Sequence, residues 1–322
     1  MVVGAAVCFG VSLFYPLLTT VAGFLLLRFI HGFSAGFTPT GTSAYVADIV
    51  PFQRRGEAMG IQSLFGSLGM AAGPAAGGYI AAAFDINTLF YASAATAVLS
   101  ILIILRLKET LPNKQPMRRA YLKLNRTELI EKRVLVPSLV LFLTVFSFGT
   151  ILTIIPDYSE HLGIQNKGLF FAVFTLASLG IRIIAGKTSD RYGRIPVMKV
   201  ATSSMAVAML VIAFSTTTWQ LILGGIIFGA SVGMNSPTIS AWTIDLSLDE
   251  KRGRALATMY IALEAGIGIG ALVSGWLFNN RVENFPLVFS IGAITASIAF
   301  IYLFTLPKDQ KELVPVDEKD PK

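Results

Sequence analysis

The feature that most constrains this chain is a succession of ten apolar segments, each long enough to cross a bilayer. They are Val2–Leu18, Thr20–Val46, Ala58–Phe84, Asn87–Leu105, Val134–Pro156, Gly168–Ile184, Ile195–Ser215, Thr218–Ile244, Ala255–Asn279 and Phe285–Leu306. A spanning helix needs about 20 mostly apolar residues, with a range of roughly 17–25. A soluble helical protein would show polar faces every three or four residues, and these segments have almost none. Only 14% of the 322 residues are charged, against about 25% in a soluble domain. There is too little charge to cover a soluble globule, so the fold class is all-α and polytopic. Disorder, collagen and a basic nucleic-acid-binding module are excluded.

Net charge is +7, with 26 Lys and Arg. Such a balance invites a polyanion partner, but the cations lie in the loops. Loops on the cytoplasmic side of membrane helices collect Lys and Arg. With the first segment starting inside, 23 of the 26 cations fall in or beside loops 48–57, 106–133, 185–194, 245–254 and the tail, leaving Lys167 and Arg281 outside and Arg28 within a helix. Both termini are therefore expected in the cytoplasm, in an inner (plasma) membrane, with the lipid bilayer as partner and no nucleic acid. Loop 106–133 carries nine cations and reads as a solvated linker beside anionic headgroups. It separates helices 1–105 from helices 134–306, and the charged tail 307–322 reads as disordered.

Catalytic chemistry finds no support. Cys8 stands alone, His31 and His161 lie in different segments, and no metal spacing, nucleophile–base pair or phosphate loop appears. Neither a metal nor a cofactor is expected, and the chain does not read as an enzyme.

Sliding the chain against itself by 197 residues reveals a repeat. Gly32, Ser34 and Gly36 fall on Gly229, Ser231 and Gly233; Asp48 on Asp245; Arg55-Gly56 on Arg252-Gly253; Gly69, Gly73 and Gly78 on Gly266, Gly270 and Gly275. Two related halves enclosing a midplane site are a pattern of secondary transporters. The halves are unequal, because 134–197 has no counterpart before Met1. The expectation is a twelve-helix architecture lacking its first two helices, arranged as four plus six. In that arrangement Gly253 lacks the charged loop it would be expected to meet.

Three motifs carry a family resemblance. Gly186 to Arg194 read G-K-T-S-D-R-Y-G-R, expected as a tight inter-helix turn in which Gly186 and Gly193 permit the reversal. There Asp190 accepts from free helix-start amides, while Arg191 and Arg194 pair with carboxylates or headgroups. Gly60, Gly69, Gly73, Pro74, Gly77 and Gly78 give G-x8-G-x3-G-P-x2-G-G, a glycine face with a proline bend. Arg28 and Gly32 give R-x-x-x-G. The loop resembles the signature of the major facilitator superfamily, and the glycine series resembles the antiporter motif of its drug/proton exchangers. The resemblance spans 1–306. It implies a two-bundle fold, truncated at its N-terminus, that moves a small molecule by alternating access, and it implies a monomer.

What the resemblance implies for individual residues follows from that mapping. Arg28 is given a part near proton transfer; the residues alone leave open an arginine snorkelling outward. His31 reads as a titrating group or a packed histidine. Glu264, with no cation nearby in sequence, reads as a buried acid able to carry the coupling proton, while Arg182 reads as snorkelling toward the cytoplasmic end. Cavity-lining positions are Thr38, Phe146, Phe148, Asn235 and Trp242, and the symmetric loop residues are Asp48, Arg55, Asp245 and Arg252. The expected activity is proton-coupled efflux. Its rivals are a non-transporting fragment or mis-started chain and an importer of a sugar or organic acid, which the antiporter motif disfavours.

Overall fold

A computed structural model describes residues 1–110, 130–164 and 168–306. The linker's centre and the tail lie outside the described residues. Ten α-helices follow one another: α1 (Val2–Phe14), α2 (Val21–Ile49), α3 (Arg55–Ala83), α4 (Ile86–Ile104), α5 (Leu135–His161), α6 (Leu169–Tyr192), α7 (Arg194–Ala213), α8 (Thr218–Leu246), α9 (Arg252–Phe278) and α10 (Phe285–Thr305). Seven of them are long and apolar enough to cross a membrane, and α6 is an eighth if its two arms count as one span. Helix α1 is shorter than expected because Pro16 tightens its end into the 3-10 turn Tyr15–Leu17. Helix α3 is less apolar than its neighbours because glycine, serine and proline recur along it.

The repeat holds at the level of element boundaries. Displaced by 197 residues, α2 becomes Thr218–Leu246, which is α8, and the short 3-10 turn Phe52–Arg54 becomes Asp249–Lys251. Helices α3 and α9 both begin on the arginine of the repeated Arg-Gly pair.

The chain clusters into two units. Met1–Ile49 with Gly66–Leu124 form the first, and Val50–Phe65 with Asn125–Lys322 form the second. The opening turns of α3 thus belong with the C-terminal helices.

In the first unit α1 packs against α2 and α4. Asp85 caps α4, accepting from the Thr88 amide at 2.6 Å, and this bond holds its carboxyl below the usual range. In the second unit, α5 lies against α9 so closely that a Cβ on Gly149 would stand 2.1 Å from the Ile267 carbonyl oxygen, and one on Gly270 2.3 Å from that of Phe146. Close backbone approach through small residues is how helices associate without a hydrophobic driving force. The interior is built from Ile151, Ile155, Met205, Met209, Ile212, Phe228 and Phe289. Tyr158 donates to the Ser215 carbonyl at 2.5 Å and accepts from the Ser215 hydroxyl. Helix α9 stops at Asn279 and Asn280, both left-handed, and Asn284 Nδ2 satisfies the final carbonyls of Leu277 and Phe278. Outward positions are apolar too: Trp276 is 79% exposed and Leu272 75%. Apolar on both inner and outer surfaces, the bundle suits lipid rather than water.

Candidate functional site

The second unit gathers its charges at the end where α3, α6, α7 and α8 meet. Helix α6 runs to Tyr192, so most of the polar signature is helical. Only Gly193 makes the turn, with φ 91°, a conformation that favours glycine. The expectation of a two-glycine reversal is corrected on this point. Gly186 serves contact: a Cβ there would lie 2.3 Å from the Gly56 carbonyl oxygen, and one on Gly56 would lie 2.5 Å from that of Gly186. The α3 and α6 backbones touch.

That contact delivers Asp190 to the start of α3. Its carboxylate accepts from the amides of Gly56 at 2.8 Å and Glu57 at 3.0 Å, donors that the first turn of a helix leaves unsatisfied. Arg194 Nη1 donates to Asp190 at 2.5 Å and to Ser189 Oγ at 2.7 Å, while its Nε donates to Asp245 at 2.9 Å. Arg55 reaches the other oxygen of Asp245 at 3.3 Å. Two carboxylates and two guanidiniums thus alternate, each largely buried. Glu57 lies at the rim, where hydrogen bonds from Arg54 and then from Lys187 hold its carboxyl below the usual range. Arg191 lies outside the circuit, its guanidinium over the Tyr192 ring.

The symmetric residues diverge. Asp48 accepts from Thr110 at 2.9 Å, Arg252 pairs with Asp249 at 2.6 Å, and Gly253, the counterpart of Gly56, meets nothing within 4 Å. The glycine series differs in the same way. Gly266 and Gly270 seat α5, whereas their counterparts Gly69 and Gly73 meet nothing within 4 Å among the described residues. Gly60 is buried, and Gly77 faces Leu89. Side chains at positions 74 and 78 lie outside the described set.

Other anticipated residues fall in separate places. His31 lies between Tyr15, whose hydroxyl is 3.1 Å from Nδ1, and Cys8, whose sulfur is 3.6 Å from Nε2. Arg28 is exposed, one turn earlier on α2. Thr38 stands against Gly4. Phe146 backs onto Gly270, and Phe148 contacts the Phe174 ring. Trp242 is wholly buried, and Asn235 donates to Thr144 at 2.7 Å.

Two expectations are overturned by placement. Glu264 is exposed on α9, because α5 takes the stripe Gly266, Gly270 and Ser274 and Glu264 lies about 200° around the helix from Gly266. Arg182 does not snorkel. It is 8% exposed and bonded inward to Ser178, Ser63 and Ser236.

An ion pair at the same end, with Glu131 buried and Arg254 partly exposed, went unanticipated. Glu131 accepts twice from Arg254, at 2.9 and 2.7 Å, while its amide donates to Thr258. The charges lie 123 residues apart, and nothing in their local sequence marks them as partners.

A repeated helical bundle, apolar inside and out and fastened at one end by a buried charge circuit, defines a polytopic membrane transport protein. The chain belongs to the Major Facilitator Superfamily, whose family model matches it twice, over residues 1–167 and 137–321. Among its relatives, a multidrug resistance protein of Salmonella paratyphi C is 26% identical over 296 residues, covering 87% of this chain and 70% of its own. An uncharacterized MFS-type transporter of Methanocaldococcus jannaschii is 24% identical over 295 residues, covering 88% and 76%. Among solved structures, the human organic anion transporter MFSD10 shares the fold with a TM-score of 0.79 at 19% identity, covering 94% of this chain and 76% of its own. The proton:xylose symporter XylE does so with 0.79 at 18%, covering 97% and 81%.

Proposed function

We propose that this protein exports a small amphipathic molecule in exchange for protons, by alternating access across the cytoplasmic membrane. The observation that carries the reading is the Asp190 carboxylate on the first amides of α3, tied through Arg194 and Asp245 to Arg55. Such a circuit is strong when closed and separable into hydrated charges when open, as a two-state element requires. The distribution of loop cations supports a cytoplasmic position for it and for both termini. The intact spacing of the antiporter motif and the multidrug relative favour export over import of a sugar. Within the second unit, Asn235 and the partly exposed Phe148 are the positions offered to substrate, ahead of the fully packed Phe146 and Trp242.

Glu264 is the carboxylate proposed to take the coupling proton. It is an ionisable group on a spanning helix, rare and costly there, which is what supports the reading now that burial does not. In proteoliposomes, Glu264→Gln should abolish pH-driven movement of a fluorescent lipophilic cation while leaving insertion intact. Wild-type rates in that variant would remove Glu264 from the mechanism.

A further inference from the structure

Arg182 presents a puzzle that the charge circuit leaves unsolved. It lies on the same stripe of α6 as Gly186 and Asp190, eight residues before the latter and hence about 12 Å further along the helix. Its Nε donates to Ser178 Oγ, and its Nη1 donates to the Ser63 carbonyl and to Ser236 Oγ, each at 3.3 Å. Ser63 and Ser236 also face each other, with their hydroxyl oxygens 3.4 Å apart. The guanidinium thus stands where α3, α6 and α8 meet, at the point where α6 bends by 43° between Leu169–Arg182 and Ile184–Tyr192. Among the described residues no carboxylate pairs with it.

Arginine does not shed its proton in proteins, so this is a buried charge with neutral partners. All three bonds are longer than the 2.9–3.0 Å at which such bonds cluster, and none is the short charge-to-charge kind that offsets desolvation. The comparison with Arg194 is direct, since that guanidinium, in the same seam, has two carboxylates at 2.5 and 2.9 Å. The seam between the start of α3 and α6 is therefore held at its Asp190 end and opposed at its Arg182 end.

We infer that Arg182 is a positioning residue whose uncompensated charge biases this seam toward opening, where the guanidinium regains water. The inference rests on the proposed alternating cycle only in giving the opening a use; the bias itself is a property of the seam. It predicts a sign opposite to that of a structural bond. Neutralising Arg182 closes the seam more firmly, and supplying a counter-charge does the same.

Met59 reports on the seam. It is 1% exposed and shares a face of α3 with Gly56 and Ser63, at spacings of three and four. With Cys8 replaced by serine, Met59→Cys becomes the sole thiol of these 322 residues, and its alkylation by N-ethylmaleimide in proteoliposomes measures opening. Arg182→Gln should slow alkylation about tenfold, the size expected for relief of a poorly paired buried charge. Ser236→Asp, which places a carboxylate beside the guanidinium, should slow it similarly, whereas Arg182→Lys should stay near the parent rate. Asp190→Asn should accelerate it. If Arg182→Gln or Ser236→Asp leaves the rate unchanged or raises it, the guanidinium holds the seam shut and the inference fails. Because Ser236→Asp keeps the arginine, failure of the glutamine variant to insert still leaves a deciding measurement. Alkylation needs no transported substrate, so loss of proton-driven transport would overturn the proposed function without touching these rates.

Discussion

Replacing Asp190 by asparagine tests the charge circuit at its most connected point. The side chain keeps its shape but loses its charge, and one of its two acceptors becomes a donor. In the native protein one oxygen receives the Gly56 amide and Arg194, and the other receives the Glu57 amide. Asparagine must therefore point its NH2 either at the Glu57 amide or at the Gly56 amide and Arg194 together, and so opposes a donor of α3 in both orientations. Hydrogen bonds to a charged group contribute about 1.5–3 kcal/mol each, and a negative charge at a helix start about 0.3–1 kcal/mol. Arg194 keeps Asp245, so the net loss is about 2–3 kcal/mol, which corresponds to roughly 30–150-fold in an opening equilibrium. Amide hydrogen exchange reads this directly. The peptide containing Gly56 and Glu57 should exchange faster by that factor, while the interior around Met205 and Phe228 keeps its protection. An unchanged rate at Gly56 and Glu57 would show that the carboxylate does not hold α3, and the account of the circuit would fall.

Other perturbations have defined outcomes. Gly186→Ala forces a Cβ into the Gly56 carbonyl and should lower the thermal midpoint of the detergent-solubilised protein, at about 1–3 kcal/mol for an overpacked contact; an unchanged midpoint would contradict backbone contact. Glu131→Gln leaves the partly exposed Arg254 without its counter-charge and should cost about 1.5–3 kcal/mol, the worth of a hydrogen bond to a charged group, whereas Glu131→Asp with partial recovery would confirm the pairing. Asp85 has its folded pKa depressed by the Thr88 amide. Its stabilisation is present above the unfolded carboxylate value, about 3.9, and is lost as pH falls through the lower folded value. Exchange at the start of α4 should therefore rise as pH is lowered below about 4, after correction for intrinsic rates. Asp85→Asn, which keeps an oxygen acceptor for the Thr88 amide, should flatten that dependence.

Much of the architecture was legible because hydropathy and the repeat are long-range signals carried by many residues. The 197-residue offset maps α2 onto α8 residue for residue at both ends, although the two differ at most positions. Individual residues were harder to read where a tertiary contact outweighed local character. The polar stretch from Gly186 to Tyr192 looks like a loop, yet backbone contact with Gly56 and the anchoring of Asp190 carry α6 through it. Glu264 sits in an apolar run that suggests burial, but burial depends on which stripe of α9 meets α5, and glycines 266 and 270 decide that. Arg182 had a usable signal in its spacing of four and eight from Gly186 and Asp190. Its serine partners on α3 and α8 did not, since a serine in a membrane helix is common enough to mark nothing.

Proton-coupled export is tested most directly by transport with the purified protein in sealed proteoliposomes carrying an imposed pH gradient, with a fluorescent lipophilic cation as cargo. The dye should move against its gradient, dependent on the proton gradient and collapsed by a protonophore. Dye movement indistinguishable from that of protein-free liposomes, or insensitive to the pH gradient, would contradict proton-coupled export.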